Sequence, residues 1–228
     1  MIELTNVTKA YPNGVHALNH VDLKIEDGEF VYVIGATGSG KSTLIKLLNG
    51  EEVADEGTVI VNGVNVGTLK HRKVPAYRRN IGCIFQDYRL LPKLTVQENI
   101  AFALEVIGMS KKAIKNRVRE ILDLVDLRDK ARSYPDELSG GQQQRVTIGR
   151  AIANRPKILI ADEPTGNLDP EKSLEIIRLL EKINHNFGTT IVMVTHDKEL
   201  VDRFKKRTII LDGGYVIHDS NIGGYKSL

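Results

Sequence analysis

The sequence predicts an α/β fold: a mostly parallel sheet covered by helices, with a β-rich N-terminal portion and a helical insertion. Three observations predict it. Apolar runs at 30–34, 157–161 and 190–195 alternate with segments of helical period at 41–49 and 170–186, the pattern of buried parallel strands joined by crossover helices. Gly35-Ala36-Thr37-Gly38-Ser39-Gly40-Lys41-Ser42 connects the first of these strands to the first helix. Between 95 and 129 the pattern turns helical with no strand inside it, which marks an insertion.

Each element has a local reason. Alternation over 2–7 and 15–25 argues for two strands, parted by a turn at Pro12-Asn13-Gly14. Glu56-Gly57 leads into a strand at 58–61 and a turn at Asn62-Gly63. Arg78 and Arg79 precede a buried strand over 81–85, which holds the single cysteine, Cys83. One cysteine in an apolar run points to core packing in a reducing cytoplasm. Thr95-Val96-Gln97-Glu98 fits a helix start, Thr95 capping and Glu98 reciprocating. Val118, Ile121, Leu122 and Val125 recur at the spacing of one helix face. Strands at 207–211 and 215–218 close the fold around Gly213-Gly214. The expected organisation is one domain of two lobes, 1–86 with 157–228 and a helical lobe at about 87–156.

Bulk properties exclude several classes. Lys and Arg number 32 against 29 Asp and Glu, a net charge of +3. That is too mild to argue for nucleic acid, and no concentrated basic stripe is expected, so no nucleic-acid partner is either. The balance is compatible with an anionic membrane surface. Apolar stretches are strand-sized, short of the roughly 20 residues a membrane span needs. Met1-Ile2-Glu3-Leu4 enters an alternating pattern without a signal-peptide layout.

Three motifs carry chemistry. The 35–42 loop matches G-x-x-x-x-G-K-[ST] in the strand–loop–helix setting that phosphate binding requires. Its glycines let successive N–H groups point at an anion, and the following helix adds its positive end. Lys41 is expected to reach the β- and γ-phosphates and Ser42 to help hold Mg²⁺. A second motif ends an apolar strand in two carboxylates: Asp162 as metal ligand, Glu163 as general base for an attacking water. In the third, Ser139 caps a helix behind Leu138 and leaves free N–H groups for an anion. This second phosphate site is expected to close on the nucleotide of another subunit.

In these motifs the chain resembles the ATP-binding-cassette (ABC) ATPases along nearly its whole length. Tyr11, the 35–42 loop, Gln86, Leu138-Ser139-Gly140-Gly141-Gln142, Asp162-Glu163, Gly166-Asn167-Leu168-Asp169 and His196 stand in the family's order. The resemblance implies a P-loop NTPase core, an N-terminal antiparallel β subdomain and an inserted helical subdomain. It further implies ATP and Mg²⁺ as ligands and two copies meeting head to tail around two ATP molecules. Tyr11 would then stack on adenine, while Gly35, Ala36, Thr37, Gly38, Ser39, Gly40, Lys41, Ser42 and Thr43 hold the phosphates. Ser139, Gly140, Gly141 and Gln142 would close from the other subunit, and Asp169 would link the two sites. Ser42, Gln86 and Asp162 would hold the metal; Glu163, His196 and Gln86 would carry catalysis.

One branch of the family is favoured. Gln86-Asp87-Tyr88-Arg89-Leu90-Leu91-Pro92, with Val74-Pro75, Arg78-Arg79, the stretch 101–108 and Gly223-Gly224-Tyr225, looks like its cell-division branch. That implies a peripheral ATPase on the cytoplasmic face of the membrane at the division site. Its partner would be an FtsX-like integral membrane protein that activates extracellular peptidoglycan hydrolases. The 164–169 run is shared with lipoprotein-releasing and macrolide-export relatives, so an exporter ATPase is the alternative. The tail at 225–228 reads as solvated.

Overall fold

The computed structural model describes residues 1–220; the expectations for 223–228 lie outside the described residues. Two sheets organise the chain. β1 (Ile2–Ala10) pairs antiparallel with β2 (His16–Ile25) and with β4 (Glu56–Val61), and β4 pairs with the short β5 (Val64–Asn65). The second sheet has six strands. β6 (Ile81–Ile84), β7 (Ile158–Asp162), β8 (Thr190–Val194), β3 (Phe30–Ile34) and β9 (Arg207–Asp212) run parallel, and β10 (Tyr215–Ser220) returns antiparallel on the edge.

The apolar runs at 30–34, 158–161 and 190–194 are continuous because the central strands are covered on both faces. Side chains alternate across the sheet, so each strand feeds two cores. Phe30, Tyr32 and Ile34 join Leu159, Ala161, Ile191 and Met193 in the core shared with the helical insertion. Val31 and Val33 join Ile158, Ile160, Val192 and Val194 in the core beneath the antiparallel sheet and α1 (Lys41–Leu48). The insertion therefore packs directly onto one face of the parallel sheet.

Within the insertion, the helical run from 95 divides into α3 (Val96–Glu105) and α4 (Lys111–Leu124). Gly108 at φ 78° turns the chain, and Ser110 caps α4. Thr95 and Glu98 form the expected reciprocal cap. A short α2 (Val74–Arg78) precedes β6. After α5 (Gly140–Ala151) the chain enters β7, then α6 (Pro170–Phe187), β8 and α7 (Lys198–Phe204). Strand order does the positioning. With β3, β8, β7 and β6 adjacent and parallel, the residues after their C-terminal ends share one edge of the sheet. That edge carries, in sequence of strands, Gly35, His196, Glu163 and Gln86, where such sheets bind ligands.

Candidate functional site

The phosphate loop is held open by glycines that no other residue can replace. Gly40 sits at φ 109° as the N-cap of α1, where a Cβ would collide with the Ala17 carbonyl. Gly35, at φ 156°, would drive a Cβ into the Leu211 carbonyl and the Ser39 side chain. A loop without Cβ atoms at these points exposes its N–H groups to an anion at the positive end of α1. Lys41 Nζ donates to the carbonyls of Gly35 and Ala36, both at 2.7 Å. Burial lowers its pKa, against the opposing charges of Glu163 and Asp162. The ammonium is thus fastened inside the loop and faces both carboxylates.

The far wall is the end of β7. Asp162 is partly buried, and desolvation together with neighbouring Glu163 raises its pKa, against the pull of Lys41. Two adjacent carboxylates beside one ammonium leave excess negative charge, a setting that favours a divalent cation. Ser42, Gln86 and Asp162 offer oxygen donors suited to Mg²⁺. Among the described residues no three His, Cys, Asp or Glu side chains form a metal cage.

Glu163 is the most constrained residue of the edge. It lies at φ 47°, in the left-handed region that non-glycine residues avoid. Its N–H donates to the Val194 carbonyl (3.0 Å), and its own carbonyl accepts from the Gly166 N–H (3.1 Å). The kink turns the side chain so that Oε1 meets His196 Nδ1 at 2.8 Å. Asp197, not His196, caps α7 by accepting from the Leu200 N–H. His196 is therefore left to Glu163 and to solvent, its side chain 72% exposed against 16% for Glu163.

Gln86 follows β6 and is tied in through its carbonyl, which accepts from Asn167 Nδ2 at 2.9 Å. A Cβ on Gly166 would press on Gln86 Nε2 at 3.0 Å, so the glycine lets Gln86 lie against the turn after Glu163. Asp169 caps α6, its Oδ1 accepting from the Lys172 N–H at 2.9 Å. Tyr11 lies on the other flank. Its hydroxyl is 3.3 Å from Thr43 Oγ1, and the Lys9 and Lys46 ammoniums lie 5.8 and 5.9 Å from its ring centre. The structure thus gathers Tyr11, 35–43, Gln86, Asp162, Glu163 and His196 around one sheet edge.

Ser139 and Gln142 stand apart. They form a reciprocal cap on α5, with the Gln142 N–H donating to Ser139 Oγ and Gln142 Oε1 accepting from the Ser139 N–H. Gly140 lies beside Tyr88 and Leu168. Among the described residues, no hydrogen bond links 139–142 to the phosphate loop.

Three residues of α5 escaped the sequence reading. Gln144 is fully buried and donates from Nε2 to the Pro164 carbonyl at 2.7 Å, directly behind Glu163. Thr147 donates to the Tyr88 carbonyl (3.1 Å), and Arg150 to the carbonyls of Tyr88 (2.9 Å) and Arg89 (2.5 Å). Tyr88 and Arg89 both hold positive φ, so side chains of α5 clamp a strained segment two residues beyond Gln86. The available signal was a polar type on the buried face of a helix, which earns attention only when burial is known.

Comparison with known proteins decides the family. The description "ABC transporter" matches residues 18–166. The chain belongs to the ABC transporter family. It is 55% identical over 227 residues to the cell division ATP-binding protein FtsE of Bacillus subtilis, covering 100% of this chain and 99% of that one. It is 51% identical over 226 residues to the protein of the same name from Mycobacterium tuberculosis, covering 99% and 98%. Among solved structures it resembles the ATP-binding cassette MJ0796, captured as a dimer in a post-hydrolysis state with ADP and Pi. That match has a TM-score of 0.87 and 39% identity, covering 99% of this chain and 100% of the other. The expected fold, a parallel core with an antiparallel N-terminal sheet and a helical insertion, is the ABC cassette fold found here.

Proposed function

We propose that this chain is the Mg²⁺-dependent ATPase of a cell-division complex, acting as a head-to-tail homodimer beneath an FtsX-like integral membrane protein. One observation carries the catalytic reading: the Glu163–His196 pair, built on a left-handed kink at the sheet edge that also bears Lys41. Lys41 and the N–H groups of 35–42 bind the phosphates and Tyr11 packs on the base. Glu163 accepts a proton from the attacking water, with His196 orienting its carboxylate and Gln86 holding the water's far side. Ser42, Gln86 and Asp162 would hold Mg²⁺, which when bound would offset the negative charge of the phosphates. Ser139–Gln142 serve the nucleotide of the partner subunit, in keeping with their lack of bonds to their own phosphate loop.

The cell-division assignment is supported by the full-length identity to the two FtsE proteins. Support for a membrane partner comes from a groove of about 550 Å³ floored by Phe85, Leu91, Phe102 and Val106. Phe102 and Val106 are 44% and 58% exposed there. Arg89, whose carbonyl Arg150 holds, stacks on Phe85 at 3.8 Å. Force on this groove would thereby reach α5 and, through Gln144, the backbone behind Glu163. No helix of the described residues is long and apolar enough to cross a membrane. In this reading the chain sits on the cytoplasmic face, and the partner relays closure to peptidoglycan hydrolases outside.

The test is capture of tagged Glu163→Gln protein from detergent-solubilised membranes with ATP and Mg²⁺, followed by mass spectrometry. An FtsX-like protein is expected, lost with a Phe102→Ser/Val106→Ser variant. Recovery of a multi-span permease would reassign the chain to an exporter and overturn the cell-division reading.

A further inference from the structure

The net charge of +3 conceals a strong local imbalance, and the expectation of no concentrated basic stripe is corrected here. From Gly57 to Gln86 the chain contains no Asp or Glu, yet it carries Lys70, Arg72, Lys73, Arg78 and Arg79, with His71 among them. All six are exposed. Elsewhere cations find carboxylates, as Arg117 does with Glu120, Arg145 with Glu175 and Arg207 with Asp219. Among the described residues none of these five Lys and Arg side chains forms an ion pair.

The segment is a firmly mounted platform. Tyr77 is buried and its hydroxyl donates to the Leu48 carbonyl at the end of α1. Arg78 donates from Nε to the Asn49 carbonyl (3.0 Å) and from a terminal nitrogen to the Gly50 carbonyl (3.1 Å). These bonds fasten α2 to the C-terminal end of α1, whose N-terminal end forms the phosphate loop. A cation at a helix C-terminus is also favourable. The same platform borders the apolar groove, since Pro75, Arg78 and Arg79 line it together with Phe102 and Val106.

We propose that Lys70, Arg72, Lys73 and Arg79 form a docking surface for the anionic headgroups of a lipid bilayer. The inference rests on the reading that the adjoining groove takes a membrane protein, which brings the groove's rim against the headgroup layer. Cations that form no ion pair among the described residues suit a diffuse sheet of phosphates, where each contributes to binding in a salt-dependent way. Tyr77, the sole Phe, Tyr or Trp of 70–79, is buried, which leaves His71 as the one exposed ring of the patch, a poor platform for stacking successive bases. Because the platform is bonded to α1, lipid contact orients the phosphate loop relative to the membrane.

The experiment is vesicle flotation of the purified full chain. Vesicles of phosphatidylcholine alone are compared with vesicles containing phosphatidylglycerol, at low and high potassium chloride. The native chain is expected to float only with anionic vesicles and at low salt. Lys70→Ala/Arg72→Ala/Lys73→Ala should lower the partition coefficient on the order of a hundredfold, about fivefold per cation. A variant removing the same charge on α4, Lys111→Ala/Lys112→Ala/Lys115→Ala, should retain flotation. Unchanged nucleotide binding by both variants shows that they are folded. Equal binding to both vesicle types, equal loss in the α4 variant, or tighter binding to duplex DNA or polyglutamate at the same salt would overturn the lipid assignment. Failure of the membrane-partner reading is distinguishable: partner capture would then be insensitive to Phe102→Ser/Val106→Ser while flotation persisted.

Discussion

Replacing Glu163 separates the proposed chemistry from backbone strain, because the residue is the proposed base and sits in a left-handed kink. At φ 47° a non-glycine side chain costs about 1–3 kcal/mol. Glu163→Gln keeps that strain and a hydrogen bond to His196 but cannot accept a proton. Hydrolysis should fall by about 10²–10⁴-fold, with melting temperature unchanged to within about a degree. Glu163→Gly relieves the strain. Against that stand the greater freedom of glycine in the unfolded chain, about 0.4–1 kcal/mol, and the lost pairing with His196. That pairing is worth little because the imidazole is 72% exposed. The balance is a gain of about 1 kcal/mol, or about 2–4 °C for a chain of this size. Calorimetry and a phosphate-release assay on the three proteins read both quantities. A glycine variant that melted below the native protein would refute the strain argument. A Gln variant that hydrolysed ATP within tenfold of native would refute the base assignment.

Other outcomes follow from the same geometry. Ser139→Ala removes the cap of α5, a loss of about 1 kcal/mol. It should bind ATP as a monomer yet fail to form the ATP-dependent dimer in light scattering; normal dimerisation would count against a shared site. Asp162→Asn should raise the melting temperature at neutral pH. The native carboxyl titrates above its ordinary 3.8 because burial and Glu163 oppose its charge. Its penalty is therefore fully present above the raised pKa and vanishes as pH falls through it toward 3.8, so the Asn advantage should shrink on acidification. A pH-independent or absent gain would contradict this. Lys41→Ala should abolish nucleotide binding measured by fluorescent ATP, since the phosphate charge loses its fixed partner; retained affinity would sink the phosphate-loop reading. Burial pushes the Cys83 thiol up to about 11, so alkylation at pH 8 should run far slower than for a free thiol. Reaction at the free-thiol rate would show that Cys83 is not held in the core.

How much was legible depended on whether the information was local. Strands 30–34, 158–162 and 190–194 declared themselves by composition, since two-sided burial demands unbroken apolar runs. The caps at Thr95 and Ser139 were readable because a cap joins residues three apart. The phosphate loop was legible for a similar reason, its glycines answering to backbone shape within eight residues. The break between α3 and α4 was blurred because apolar periodicity continues on both sides of Gly108.

The sequence by itself determined the fold class, the phosphate loop and the order of the chemical motifs, all set by spacing along the chain. Only the tertiary structure decided that Glu163 is kinked toward His196 and that Gln144, Thr147 and Arg150 hold the backbone behind the site. It also mounted the Lys70–Arg79 cations on the end of α1 beside an apolar groove. Those decisions join residues from 20 to 61 positions apart. Partners at such separations are selected by which strands lie adjacent and which helix faces pack, and that choice is made by burial of the whole chain.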